Sequence, residues 1–181
     1  MGWDGDVEAA VELLLGQRDQ RDAQVLAVMG GAGLGKTTLA RMVFNDDKVE
    51  QSFDERIWLS INKEVDQLSV LRSVIAALCG GGAVGDSRAL LECALKQAVW
   101  QKKLLVVMDD VWSEDVWSGL LSAPLADAAA PGSRVLVTTR NDEVARKMKA
   151  RHVHRVGKLE GDDAWVLLKK QVSKFYLFIF L

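Results

Sequence analysis

Gly30-Gly31-Ala32-Gly33-Leu34-Gly35-Lys36-Thr37, followed by Thr38, decides how this chain reads. The eight residues fit G-x-x-x-x-G-K-[ST], a loop whose backbone N–H groups cradle phosphate oxygens. Gly30 and Gly35 let the backbone curl until those N–H groups point inward. Lys36 is expected to reach the β/γ-phosphates as a point charge, and Thr37 to offer a hydroxyl to Mg²⁺. The helix that begins at the loop adds its positive dipole end. The rival explanation is a chance glycine-rich turn, and a random chain of this length shows the pattern roughly once in a hundred. Context favours the loop. Gln24-Val25-Leu26-Ala27-Val28-Met29 reads as a buried strand before it, and Thr38-Leu39-Ala40-Arg41-Met42-Val43-Phe44 as a helix after it.

Working outward, strand and helix patterns alternate, which predicts an α/β fold with a parallel sheet covered by helices on both faces. A helix is expected over residues 7–15, with Asp6 as cap and Gly16 as stop. Glu55-Arg56-Ile57-Trp58-Leu59-Ser60-Ile61 is a second strand candidate. Apolar residues at helical spacing predict helices over 66–78, ended by Gly80-Gly81-Gly82, and over 86–100. Leu104-Leu105-Val106-Val107-Met108 and Val135-Leu136-Val137 are continuous apolar runs, as expected of strands covered on both faces. Asn141 can cap a short helix over 143–148, a weak strand is expected over 153–156, and Asp162 or Asp163 can cap a last helix ending at Gln171.

Two further elements complete the phosphate loop. Asp109-Asp110 follows the apolar run, and a carboxylate at such a strand end stands where Mg²⁺ needs an oxygen ligand. Asp109 is the expected metal partner, directly or through water. Asp110 reads equally as the catalytic group that orients or deprotonates an attacking water, or as a loop cap. Thr138-Thr139-Arg140 ends the next buried run. Ligands of open parallel sheets sit at the carboxyl ends of strands, so Arg140 reads either as a γ-phosphate contact or as a surface arginine.

Composition narrows the alternatives. With 181 residues, 49% hydrophobic and 27% charged, the chain is long enough for one domain with a substantial core. A net charge of −2 excludes a generally basic nucleic-acid binder. Arg134, Arg140, Arg146, Lys147, Lys149, Arg151, Arg155 and Lys158 cluster locally and read as a solvated face. Cys79 and Cys93 lie in apolar helical patterns and read as small core residues. His152 and His154 lack neighbours at ligand spacing, so no metal site is expected there. No secretory signal is visible, and the late run Phe175-Tyr176-Leu177-Phe178-Ile179-Phe180-Leu181 is far shorter than the about 20 residues of a membrane span. Cysteine usage and the missing signal point to a cytoplasmic protein.

Taken in order, these blocks resemble the NB-ARC nucleotide-binding domain of plant disease-resistance proteins. That family is a signal-transducing ATPase (STAND) group related to AAA+ proteins, with the three-layer α/β/α P-loop NTPase fold. The loop through Ala40 resembles GxGGxGKTTLA, and Phe53-Asp54-Glu55-Arg56-Ile57-Trp58 resembles the FDxRxW block. KLLVVMDDVW, ending at Trp112 as in the coiled-coil subclass, resembles the Walker B block. GSRVLVTTR, ending at Arg140, resembles the sensor block, and residues 159–168 the block after it. The resemblance covers residues 1–172 as one domain and leaves 173–181 as an apolar tail unlike the family. It implies adenine nucleotide, ADP or ATP with Mg²⁺, held by Gly30, Gly31, Gly33, Leu34, Gly35, Lys36, Thr37, Thr38 and Arg140, the last as γ-phosphate sensor. It further implies a switch in defence signalling reset by slow hydrolysis, working with other domains of resistance proteins or with signalling proteins.

Several features depart from the family. Trp3 follows Gly2 where the family carries arginine, and Ala32 replaces a glycine. If that position needs φ > 0, alanine costs about 1 kcal/mol or more, and otherwise nothing. The family's later helical regions and leucine-rich repeats are missing, which suggests a truncated gene product. Two other functional classes fit less well. A small P-loop kinase would need an arginine-rich lid and an acceptor site, and neither is visible. A nucleotide-independent interaction fragment would bind partners equally well without Lys36.

Overall fold

The computed structural model describes residues 4–16, 23–61, 66–80, 85 and 87–157. The helix expected to end at Gln171, the block at 159–168, Trp3 and the tail at 173–181 lie outside the described residues. Among those described, five parallel strands form one sheet: β1 (Gln24–Met29), β2 (Glu55–Ser60), β3 (Leu104–Val111), β4 (Arg134–Thr139) and β5 (His152–Arg155), in the order β2-β3-β4-β1-β5. The strand leading into the phosphate loop is therefore interior. Val25 pairs with Val135 on one side, and Leu26 with His152 on the other.

Side chains alternate between two cores, because successive strand residues face opposite ways. Val25, Ala27 and Met29 of β1, with Val135 and Val137 of β4, face α4 (Gln67–Cys79), α5 (Arg88–Val99), α6 (Ser122–Ala128) and α7 (Asp142–Lys147). Leu26, Val28, Leu105, Val107 and Leu136 face α1 (Asp4–Leu15), α2 (Lys36–Phe44) and α3 (Asp47–Ser52). Each fully buried leucine of such a core contributes about 1.5–3 kcal/mol. The result is the expected three-layer α/β/α arrangement.

The alternation slips once. In β3, Leu104, Val106 and Met108 face the first core, and the next residue to do so is Val111. A register shift against β4 between Met108 and Val111 absorbs the extra residue, and Asp110 there has φ +55°. The strand was expected to stop at Met108. Instead it runs on through the two aspartates, because the bulge lets Val111 regain the core while both carboxylates stay at the strand end.

Local chemistry explains most element boundaries. Asp66, Ser87 and Asn141 cap α4, α5 and α7 by accepting bonds from backbone N–H groups one turn in. Gly80 ends α4 at φ +68°.

Four expectations need correction. Helix α1 begins at Asp4, so Asp6 is no cap; its Oδ1 lies 3.0 Å from His154 Nε2 of β5. Cys79 and Cys93 are exposed, since the buried stripes of their helices run through Val70, Leu71, Val74 and Ile75 and through Leu91, Leu95, Ala98 and Val99. Arg134 is buried rather than solvated, with Nε donating to the Leu14 carbonyl at 2.9 Å and a guanidinium nitrogen to that of Ser133 at 3.0 Å.

Three elements had no sequence expectation: α3, capped by Asp46, a π-helical turn at Trp117–Leu121, and α6, which continues directly from that turn, so that Pro124 lies inside one helical run and removes a backbone donor there.

Candidate functional site

The phosphate loop joins the C-terminal end of β1 to α2. Gly33 and Gly35 have φ +73° and +84°, conformations that side-chain-bearing residues rarely adopt. Gly30 is required for space: a Cβ there would sit 3.2 Å from the Val156 carbonyl oxygen and 3.3 Å from Leu34 Cδ1. Ala32 is not among the described residues with positive φ, so alanine carries no backbone cost there. Thr38, half-buried, lies in the first turn of α2.

Lys36 is buried, and its Nζ donates to the Gly31 carbonyl at 2.7 Å, so the side chain folds back over its own loop. Burial first, and then the Arg140 charge, lower its pKa, while Asp110 and Asp109 act against that shift.

Asp109 and Thr37 meet across 72 residues of chain: the Thr37 hydroxyl donates to Asp109 Oδ1 at 2.9 Å. The same oxygen accepts from the Thr138 hydroxyl at 2.6 Å, and Thr138 Oγ1 in turn accepts from the Asp110 N–H at 2.8 Å. Ile61 N–H donates to the Asp109 carbonyl at 2.9 Å, fixing the strand from the other side. Thr138 was not singled out from the sequence. A fully buried threonine inside an apolar strand was the available signal, since buried hydroxyls must find partners.

Asp110 uses both carboxylate oxygens. Oδ1 lies 3.6 Å from Arg140 Nε, an ion-pair distance, and Oδ2 accepts from Trp112 Nε1 at 3.2 Å. The Arg140 guanidinium lies 5.3 Å from the centre of the Trp112 ring. Trp112 was read only as a subclass marker.

The donor set suits a magnesium nucleotide: a hydroxyl and carboxylates give the hard oxygen ligands Mg²⁺ takes, and a lysine, an arginine and glycine N–H groups suit phosphates. The observations that test this fit are the positive φ of Gly33 and Gly35, which lets the loop curl, and the Thr37–Asp109 hydrogen bond, which brings two oxygen donors together beside it. A cavity of about 590 Å³ lined by Gln24, Trp117, Ser122 and Lys147 lies at the opposite strand ends and contains none of these groups.

The Phe53–Trp58 block is structural. Asp54 accepts from the Lys103 N–H at 2.7 Å, while Arg56 donates to the Phe44 carbonyl and to Glu50 and lies over the Phe44 ring. This braces the end of α2, and hence the loop helix, against β2.

Compared with known families, residues 4–176 match the NB-ARC domain. The chain belongs to the NB-ARC family. It is 35% identical over 170 residues to disease resistance RPP13-like protein 4 of Arabidopsis thaliana, covering 92% of this chain and 20% of that protein. It is 32% identical to disease resistance protein RGA2 of Solanum bulbocastanum, covering 94% of this chain and 18% of that one. This NB-ARC chain thus spans about a fifth of the length of these relatives. Its fold is shared with Cdc6p from Pyrobaculum aerophilum, at a TM-score of 0.68, 16% identity and coverage of 94% and 49% of the two chains. A signal transduction ATPase (STAND) protein from Pyrococcus horikoshii aligns at a TM-score of 0.51 and 17% identity over 91% of this chain and 25% of that one. Family and fold together imply nucleotide binding. Among the described residues, no helix is long and apolar enough to cross a membrane.

Proposed function

We propose that this chain binds an adenine nucleotide with Mg²⁺, as the switch module of a plant disease-resistance protein. The observation that carries this reading is the hydrogen-bonded Thr37–Asp109–Thr138 cluster at the C-terminal ends of β3 and β4, beside a Lys36 folded back onto the Gly31 carbonyl of the loop. Gly30, Gly31, Gly33, Leu34 and Gly35 shape the loop, and Thr38 supports it from the helix. Lys36 leaves the Gly31 carbonyl to meet phosphate oxygens. Thr37 and Asp109, now bonded to each other, turn their oxygens toward the cation. When bound, Mg²⁺ neutralises phosphate charge and orients the β- and γ-phosphates. Arg140 meets the γ-phosphate and so separates ATP from ADP.

Asp110 is the candidate for orienting a water. Its engagement by Arg140 and Trp112 supports slow hydrolysis, because those two contacts occupy both carboxylate oxygens that would otherwise meet a water. Residues 1–172 act as one nucleotide-binding unit in a cytoplasmic protein. Its partners are the other domains of a resistance protein or signalling proteins.

Calorimetry on Lys36→Ala tests the reading. Loss of a charge-assisted contact of about 1.5–3 kcal/mol lowers ADP affinity roughly 10–150-fold. Unchanged affinity sinks the assignment. Multiple-turnover hydrolysis above about 1 per second would contradict a switch.

A further inference from the structure

The ring at Trp112 has no place in either hydrophobic core. It is 39% exposed, although it follows directly on Val111, which is buried. A large aromatic side chain held outside the core needs another reason for its position. Trp112, Asp110 and Arg140 form a closed set of three contacts: indole N–H to carboxylate at 3.2 Å, carboxylate to guanidinium at 3.6 Å, guanidinium to ring centre at 5.3 Å. The bulge in β3 and the positive φ of Asp110 fix the first two members, and the end of β4 supplies the third.

We propose that Trp112 is a positioning residue for Arg140: its π-face and the Asp110 carboxylate hold the guanidinium ready at the mouth of the phosphate loop, so that Trp112 sets the preference for ATP over ADP. The proposal rests on the nucleotide-binding reading above. Arg140 is about half exposed, in contrast to the buried Arg134. A long side chain left to solvent occupies many rotamers, and ordering it on binding costs affinity. Indole is the best neutral surface for a guanidinium, because the negative face of its quadrupole attracts the cation while leaving the N–H edges free to donate. The hydrogen bond from Nε1 to Asp110 fixes the plane of that surface. Arg140 directly follows the last residue of β4 and pairs with Asp110, the neighbour of the Thr37-bonded Asp109, so the held guanidinium stands at the strand ends that meet the loop.

The test uses the full chain and two substitutions of similar bulk, Trp112→Leu and Trp112→Phe. Phenylalanine keeps a π-face, whereas leucine fills space without one. Calorimetry with ADP and with a non-hydrolysable ATP analogue should show Trp112→Leu weakening the analogue about three- to tenfold while ADP changes less than twofold. Trp112→Phe should recover most of the loss. Adding Trp112→Leu to Arg140→Ala should have no further effect on the analogue. Separately, NMR without nucleotide should find the Arg140 Nε–H resonance shifted upfield by the indole ring and moved to a random-coil position in Trp112→Leu.

Equal weakening of both nucleotides, tighter binding of the analogue, or losses that add to those of Arg140→Ala would each overturn the proposal. An unshifted Nε–H resonance in the wild type would overturn it without reference to nucleotide. A wild-type chain that binds neither nucleotide sinks the nucleotide-binding reading and the ATP preference with it, while the shifted resonance would still establish the contact itself.

Discussion

Arg134 and Arg140 bracket β4, one at each end, and they live under opposite rules. Arg134 is 3% exposed and bonded to the carbonyls of Leu14 and Ser133. Burial, then the nearby Arg151 charge, disfavours its charged form. It joins α1 to the sheet and has nothing to offer a ligand. Arg140 has a half-exposed side chain held by one carboxylate and one aromatic face, both able to release it. The same residue type serves as a bolt at the N-terminal end of the strand and as a probe at the C-terminal end. Which role it takes follows from whether its donors end on backbone carbonyls inside the protein or on side chains facing the loop.

The largest expected effect comes from breaking the bolt. Arg134→Ala should destabilise the fold by about 3 kcal/mol, because it empties a packed site and takes the side-chain donor away from the Leu14 carbonyl. For a chain of this size that lowers the melting temperature by roughly 6–12 °C, measured by calorimetry. A change within a degree would mean that Arg134 is not structural.

Arg140→Ala inverts the pattern. Stability should move by less than about 0.5 kcal/mol, as for other partly exposed side chains. Affinity for a non-hydrolysable ATP analogue should fall roughly 10–150-fold while ADP affinity holds. Equal loss for both nucleotides would erase the functional side of the comparison.

Thr138→Val sharpens it at the middle of the same strand end. The hydroxyl serves Asp109 as donor and the Asp110 N–H as acceptor, so its loss should cost about 1–2 kcal/mol in denaturant unfolding. It should also weaken nucleotide binding with Mg²⁺ more than without. Identical weakening in both conditions would mean that Asp109 does not meet the metal.

The smallest effect concerns a third cation, Lys147, exposed and paired with Glu114 at 3.2 Å and Glu143 at 3.5 Å. A bond from its own backbone N–H, then Lys147, holds the Glu114 carboxyl below its ordinary range. Its stabilisation is present above that range and fades as pH falls through the folded-state value. The difference in melting temperature between wild type and Glu114→Gln should therefore shrink between about pH 5 and pH 3. A difference independent of pH would rule the pair out as the cause.

These contrasts also mark how far the amino-acid order could be read. The phosphate loop, its flanking strand and helix, and the cap at Asn141 were legible, because each depends on residues adjacent in the chain. The parallel strands were legible because burial on both faces demands unbroken apolar runs. Arg134 was misread as solvated, since nothing nearby in sequence reveals that the Leu14 carbonyl awaits it 120 residues away. The exposure of Cys79 and Cys93 turns on helix rotation, which apolar spacing left ambiguous. Helix α3 and the turn at Trp117 were too short and too mixed in character to show a period. At the candidate site, the loop residues, Asp109, Asp110 and Arg140 could be named from the sequence, but not Thr138, nor the connections among them. Thr138 bridging two aspartates and Trp112 beneath Arg140 depend on a bulge that no local pattern announces.

The strand order carries a consequence for synthesis. β1 is complete at Met29, but its two sheet neighbours begin only at Arg134 and His152. At about 5–20 residues per second, roughly 5–20 seconds separate translation of the strand from translation of the first residue that can pair with it. Throughout that interval Val25, Leu26 and Val28 lack the neighbours that bury them, and the phosphate loop has no fixed strand to hang from. The nascent chain is thus a natural client for chaperones at the ribosome, and nucleotide can assist folding only after β4 has been made.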